Sequence, residues 1–245
     1  MARIARALHR LLRFVGTGRI AALAVWALVP IGGVARGATR FTVPARARQL
    51  IVVSSATRDP PGDVATLRAY VRAASGSRWR PVLGPWPAEI GYGHLSGDRH
   101  EGDGSTPTGV YGLGATIYGN DPVPRGLHYR YHRLVCGDWW DEDPFSPQYN
   151  HFVHVTCGVT PPFAPGSEAV WTETTAYPYF AVIDFNTDPV RGGAGAPGSG
   201  IFLHSWVGGP TAGCVAVHEA NLLALLRWLR PAERPAIEIG TAAEV

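Results

Sequence analysis

Cys214 and His204 are the two side chains in this sequence best suited to covalent chemistry. A free thiol, with a pKa of about 8.5, needs a base or a depressed pKa to attack a carbonyl at neutral pH. An imidazole titrates in the right range to be that base. The two residues end apolar stretches, Ile201–Phe202–Leu203–His204–Ser205 and Pro210–Thr211–Ala212–Gly213–Cys214–Val215, with nine residues between them. Gly208–Gly209–Pro210 can turn the chain back, so both side chains are placed to face one cleft. Gly213 removes bulk beside the sulfur, and the backbone N–H groups of the Thr211–Cys214 turn are candidates for an oxyanion hole. The plainer alternative is a small buried hydrophobe at Cys214 and a hydrogen-bonded histidine at His204.

The other candidates rank lower. His218, four positions after Cys214, either lines the cleft or caps the helix that follows. Tyr118, Tyr129, Tyr131, Trp139 and Trp140 either line a groove or fill the core. His151 and His154 point to opposite faces if their segment is a strand, which argues against shared metal ligation. A zinc site drawn from His94, Asp103, His154 or His204 lacks H-E-x-x-H or comparable spacing. The acidic run Asp138, Asp141, Glu142 and Asp143 does not fit an EF-hand. No metal and no cofactor is expected.

Stepping outward, these residues need a scaffold of strands. Short β-branched or apolar runs recur at Gln49–Ser55, Val64–Val71, Arg78–Val82, Gly109–Ala115, His151–Thr156, Tyr179–Phe185, Gly200–His204, Cys214–Val217 and Pro235–Gly240. Glu219–Leu229 is the one convincing helix, with a leucine stripe ended by Pro231. Glycine-proline loops are expected at 85–93 and, in a flexible form, at Arg191–Gly200; Cys136–Asn150 reads as an acidic, aromatic loop. With 30 Gly and 21 Pro among 245 residues, 46% hydrophobic and 17% charged, the chain reads as one mainly-β domain, a sandwich or barrel with one short C-terminal helix. No basic-aromatic run points to nucleic acid, and a net charge of +3 is a weak signal for an anionic surface.

Five arginines, Arg3, Arg6, Arg10, Arg13 and Arg19, precede the apolar stretch Ile20–Val34 and the small residues Ala35, Gly37 and Ala38. That order gives residues 1–38 as a secretory signal peptide or an uncleaved membrane anchor, and places the remainder outside the cytoplasmic membrane, in the cell wall or extracellular. Export permits a disulfide. Cys136 and Cys157, 21 positions apart, are expected to pair and to leave Cys214 free.

The motifs resemble the L,D-transpeptidase catalytic domain (YkuD) family, in its secreted bacterial form. The family has a histidine, a variable loop, then Ser/Thr-x-Gly-Cys; here stand His204, Ser205–Pro210 and Thr211–Ala212–Gly213–Cys214. Asp103–Gly104–Ser105–Thr106–Pro107–Thr108–Gly109–Val110–Tyr111 is similar to the family's DGKTPxGxF segment, and Trp140–Pro144 with Tyr149–Asn150 to a W-x-D-D-P…YN segment. The resemblance covers roughly residues 48–240. It implies a thiol that attacks the bond between the diamino acid and D-alanine of a peptidoglycan stem tetrapeptide, with transfer to an amine as a 3→3 cross-link. It assigns Cys214 as nucleophile, His204 as base, the Ser205 carbonyl as its orienter, and Thr211 with the Gly213 and Cys214 amides to the oxyanion. Ala212 and Ala216 depart from the family, where many members carry histidine and Arg or Asn. The implied partners are stem peptides in the cell envelope, and the protein is expected to be a monomer. An L,D-carboxypeptidase at the same site and a non-catalytic wall-binding module are the alternatives.

Overall fold

Apolar side chains at every second position build the strands, and their alternation decides which residues meet. In this computed structural model, residues 40–245 are described; the expected signal or anchor at residues 1–38 lies outside them. The strands are β1 (Gln49–Ser55), β2 (Val64–Val71), β3 (Arg80–Glu89), β4 (Leu95–Ser96), β5 (Thr106–Pro107), β6 (Gly109–Gly119), β7 (Arg130–Arg133), β8 (Asp138–Asp141), β9 (His151–His154), β10 (Phe180–Ile183), β11 (Phe202–Ser205), β12 (Val215–Val217) and β13 (Ala236–Thr241). The helix α1 (Glu219–Trp228) lies between β12 and β13. Eight strands close in the order β10-β11-β12-β3-β2-β1-β13-β6, with β6 pairing back onto β10. The protein is therefore mainly β, and the choice between sandwich and barrel falls to the barrel.

One face of each strand fills the interior. Ile51 and Val53 of β1, Leu67 of β2, Ala181 and Ile183 of β10, Leu203 of β11, Val215 and Val217 of β12, and Ile237 and Ile239 of β13 form one buried cluster. Leu222, Leu225, Leu226 and Leu229 join it from the helix. Each such side chain contributes roughly 1.5–3 kcal/mol when fully buried. The helix is held at both ends: His218 Nδ1 accepts from Ala220 N at its start, and buried Gln49 donates to Trp228 O and accepts from Arg230 N at its end.

The opposite face of β10 and β11 is also buried, which an exposed barrel wall would not be. Phe180, Val182 and Phe202 pack with Leu134, Trp140, Val170, Tyr177 and Cys214. The cover comes from the long connection between β6 and β10. It includes the β8–β9 hairpin and is tied by a disulfide between Cys136 and Cys157.

Three stretches differ from their sequence reading. The expected loop at 85–93 is largely strand, because β3 continues through Pro85 and Pro87. Up to Pro87, β3 pairs only with β2, and β12 meets it at Ala88 and Glu89, so the prolines forfeit no ladder bond on the open side. The acidic loop at Cys136–Asn150 contains β8, where Asp138 and Asp141 are fully buried. Asp141 accepts from Asp143 N, Ser146 Oγ and Ser167 Oγ, and Asp138 from Val135 N and the His132 and His154 rings; these carboxylates organise the loop. Arg191–Gly200, expected to be flexible, is tied down: Asn186 Nδ2 donates to Arg191 O and Gly198 O, and Glu101 N donates to Ala196 O.

The disulfide closes the loop that carries the β8–β9 hairpin, so it should matter for the stability of the cover. Closing a 21-residue loop is worth about 3 kcal/mol in the chain-entropy account. Reduction, or Cys136→Ser, is expected to lower the unfolding free energy by that amount, read from the denaturant midpoint and slope. Thiol counting on the unfolded, unreduced protein should find one free thiol; three would contradict the pairing.

Candidate active site

The strand alternation that buries Leu203 and Val215 in the barrel turns their neighbours outward. β11 and β12 run parallel, with Leu203 opposite Val215 and His204 opposite Ala216. Phe202 and His204 therefore share a face with Cys214 and Ala216. Cys214 precedes β12 and is 8% exposed; His204 is 6% exposed. Both line a cavity of about 320 Å³, together with Thr211, Ala212 and Ala216. Tyr92, Trp206 and Val207 rim it and are about half exposed.

The turn ahead of the thiol is fixed from several directions. Thr211 Oγ1 donates to Cys214 O at 2.7 Å and accepts from Gly213 N at 3.2 Å. Thr106 Oγ1 reaches Cys214 O at 3.4 Å and accepts from Gly91 N. Asp103 shapes the preceding segment by accepting from His100 N, Ser105 N and Ser105 Oγ. Gly213 has φ +129°, and a Cβ there would stand 2.8 Å from Ser105 O, so this position requires glycine.

The thiol donates to Gly200 O at 3.2 Å and its sulfur accepts from Phe202 N at 3.3 Å. Gly200 is itself held by Asn150, whose Oδ1 accepts from Gly200 N and Trp140 Nε1. His204 Nδ1 lies 2.8 Å from Ser205 O, and Tyr177 meets the imidazole edge-on, with centroids 5.4 Å apart. No hydrogen bond joins His204 to Cys214 in this arrangement.

Burial sets the protonation. It pushes the Cys214 thiol above its ordinary range, as does the Glu168 carboxylate; the Phe202 amide pulls the other way. Burial lowers His204 to about 4, against the raising effect of the Ser205 and Ala176 carbonyls. At neutral pH the pair rests as thiol and neutral imidazole. The imidazole is then free to take a proton, and the thiol has one to give.

The sequence reading missed a group of charged residues that line the same cavity: Arg99, Glu101, Glu142 and Glu168. Burial first, then the charges of Glu168 and Glu101, raise Glu142 to about 8. Burial raises Glu168 to about 7, although Tyr177 donates to it at 2.8 Å. Glu142 lies in the acidic run already noted, but only the fold shows that it turns inward. Two residues with alternative readings take the one away from the cleft. Tyr118 stacks between Phe152 and Phe180, and His218 caps α1 at the surface; neither lines the cavity. His94 is taken up by Asp63 and Asp59.

Residues 50–241 match the family model of the L,D-transpeptidase catalytic domain, YkuD. Neither a curated protein nor a solved structure matches the chain.

The buried carboxylates have a consequence for stability. A carboxylate whose folded pKa is raised stabilises fully below its unfolded pKa and loses that contribution as pH rises through the folded value. For Glu142 the loss runs from the ordinary value of 4.5 to about 8, at about 1.4 kcal/mol per pH unit. His204, shifted the other way, acts only below about pH 6.5. Between pH 6.5 and 8 the melting temperature is expected to fall, and Glu142→Gln should flatten the fall. An unchanged slope in the variant would contradict a buried, protonated Glu142.

Proposed function

Starting from the membership of this chain in the YkuD family of L,D-transpeptidase catalytic domains, we propose that Cys214 and His204 carry out acyl transfer on peptidoglycan stem peptides. The observation that supports this most is the placement of both side chains on one outward face of β11–β12, in one cavity, by the parallel register of those strands. The family supports a cysteine-type enzyme; the roles of individual residues are our reading.

In this reading the Cys214 thiol turns from Gly200 O toward the imidazole. His204 takes its proton while the sulfur bonds to the carbonyl carbon between the diamino acid and D-alanine. The Cys214 amide donates to the oxyanion, since Thr211 Oγ1 already engages the Gly213 amide. The C–N bond breaks, the imidazolium returns its proton to the leaving amine, and D-alanine departs. An amine of a second stem attacks the thioester, again with His204 taking the proton, and the sulfur leaves as the 3→3 cross-link forms. The Ser205 carbonyl at Nδ1 holds the ring so that Nε2 serves the thiol. Ala216, opposite His204, is small and lines the same cavity. The protein works outside the cytoplasmic membrane in this account, and among the described residues no helix is long and apolar enough to cross a membrane.

Turnover of one disaccharide tetrapeptide by a set of variants tests the proposal. Cys214→Ala should abolish it. His204→Ala should lower it by at least about 10²-fold, the usual contribution of a positioned base. Thr211→Ala should fall between these and wild type through loosening of the turn. A thiol reagent should stop the reaction and a chelator should not. Wild-type turnover by Cys214→Ala, or loss to a chelator alone, would overturn the mechanism.

A further inference from the structure

We propose that Arg99 is the carboxylate anchor of the Cys214 cleft and takes the C-terminal carboxylate of the donor peptide, the one on the residue that leaves. This rests on the acyl-transfer reading above and adds to it how the donor is selected.

Arg99 is buried, with its side chain 3% exposed, yet it is poorly satisfied. Its Nε and Nη1 atoms are enclosed and have no hydrogen-bond partner. The nearest carboxylate oxygen, Asp103 Oδ1, is 3.7 Å from Nε, beyond hydrogen-bond reach, and is already used by Ser105 N and Ser105 Oγ. Enclosing a guanidinium is unfavourable unless its donors are paired. Neighbouring carboxylates balance its charge, but they leave its hydrogen-bonding capacity unused. Glu101, for one, is engaged by Ser199 and Tyr149.

The packing holds the guanidinium in place toward the nucleophile. Its Cζ lies 5.4 Å from the centre of the Phe185 ring. On another side stands Gly198, where a Cβ would come within 2.6 Å of Cζ. Nη2 is 3.5 Å from where a Cβ on Gly213 would stand, and Gly213 adjoins Cys214. Bare glycine at both positions gives the fork its space and brings it to the wall beside the sulfur.

Among the described residues, Arg99 is the one Lys or Arg that lines the cavity, where the other ionisable wall groups include Glu101, Glu142 and Glu168. Arg99 is thus the cationic partner that this wall offers to a ligand carboxylate. In a peptide attacked at its last amide bond, the terminal carboxylate is three bonds from the reacting carbon, so its binding group must adjoin the nucleophile. A guanidinium N–H gives a carboxylate a charge-assisted hydrogen bond, stronger than a neutral one. Holding the carboxylate there sets the position of the scissile carbonyl and selects donors that end one residue beyond it.

The test compares the disaccharide tetrapeptide as free acid with the same compound as its C-terminal carboxamide. Wild type is expected to show kcat/KM at least 30-fold lower for the amide. Arg99→Gln should bring the acid down to the level of the amide and leave the amide unchanged. Equal turnover of acid and amide by wild type would overturn the proposal, and so would an equal loss on both substrates in a folded Arg99→Gln. The wild-type comparison decides even if the variant does not fold. Failure here with turnover still dependent on Cys214 removes only the role of Arg99; turnover independent of Cys214 removes the acyl-transfer reading itself.

Discussion

The parallel pairing of β11 with β12 is the constraint from which the site follows. Strand geometry alternates side chains, so a one-residue slip would send every residue to the other face. The pairs Leu203–Val215 and His204–Ala216 commit Leu203, Val215 and Val217 to the barrel interior. That commitment leaves His204, Cys214 and Ala216 no choice but the outer face. Core packing thus fixes the placement of the pair: the slip that would separate the imidazole and thiol from their cavity would also expose the apolar set.

An outward face on a barrel would ordinarily be wet. Here the connection between β6 and β10 covers it, and this cover makes the site dry. Phe180 and Phe202 are fully enclosed beneath Trp140 and Tyr177. Asn150 ties the cover to Gly200, and Gly200 O accepts a hydrogen bond from the thiol. Dryness has opposite effects on the two partners: it holds the thiol protonated and the imidazole neutral. In the proposed reaction the thiol becomes a nucleophile only when its proton moves to the imidazole as the sulfur adds to a carbonyl. The same dryness raises the Glu142 and Glu168 carboxylates, so part of the wall charge is masked near neutral pH.

Much of this was legible from local pattern. The runs at Gln49–Ser55, Val64–Val71, His151–Thr156, Tyr179–Phe185 and Pro235–Gly240 carry their structure in β-branched and apolar residues, and each holds a strand. The leucine stripe of α1 declares its buried face. The extension of β3 was hidden because proline reads as a breaker unless one knows which edge is unpaired. β8 was hidden because buried Asp138 and Asp141 look like solvated acid until their partners are seen. Sequence proximity suggested His218 for the cleft, but helix capping claimed it. Tyr118 went to an aromatic stack. The short segment from Ile201 to Val215 contains its own geometry, whereas Arg99, Glu142 and Glu168 reach the cavity only through long-range packing that no local spacing reveals.

The central claim is that Cys214 forms a covalent bond with the donor peptide. Intact-mass measurement of the wild-type protein, taken early in a reaction with a disaccharide tetrapeptide and followed by peptide mapping, addresses it most directly. The account expects an adduct equal to the donor less its terminal residue and water, carried on the peptide that contains Cys214. An adduct mapped to another residue would contradict it, as would product accumulating under single-turnover conditions with the Cys214 peptide never modified.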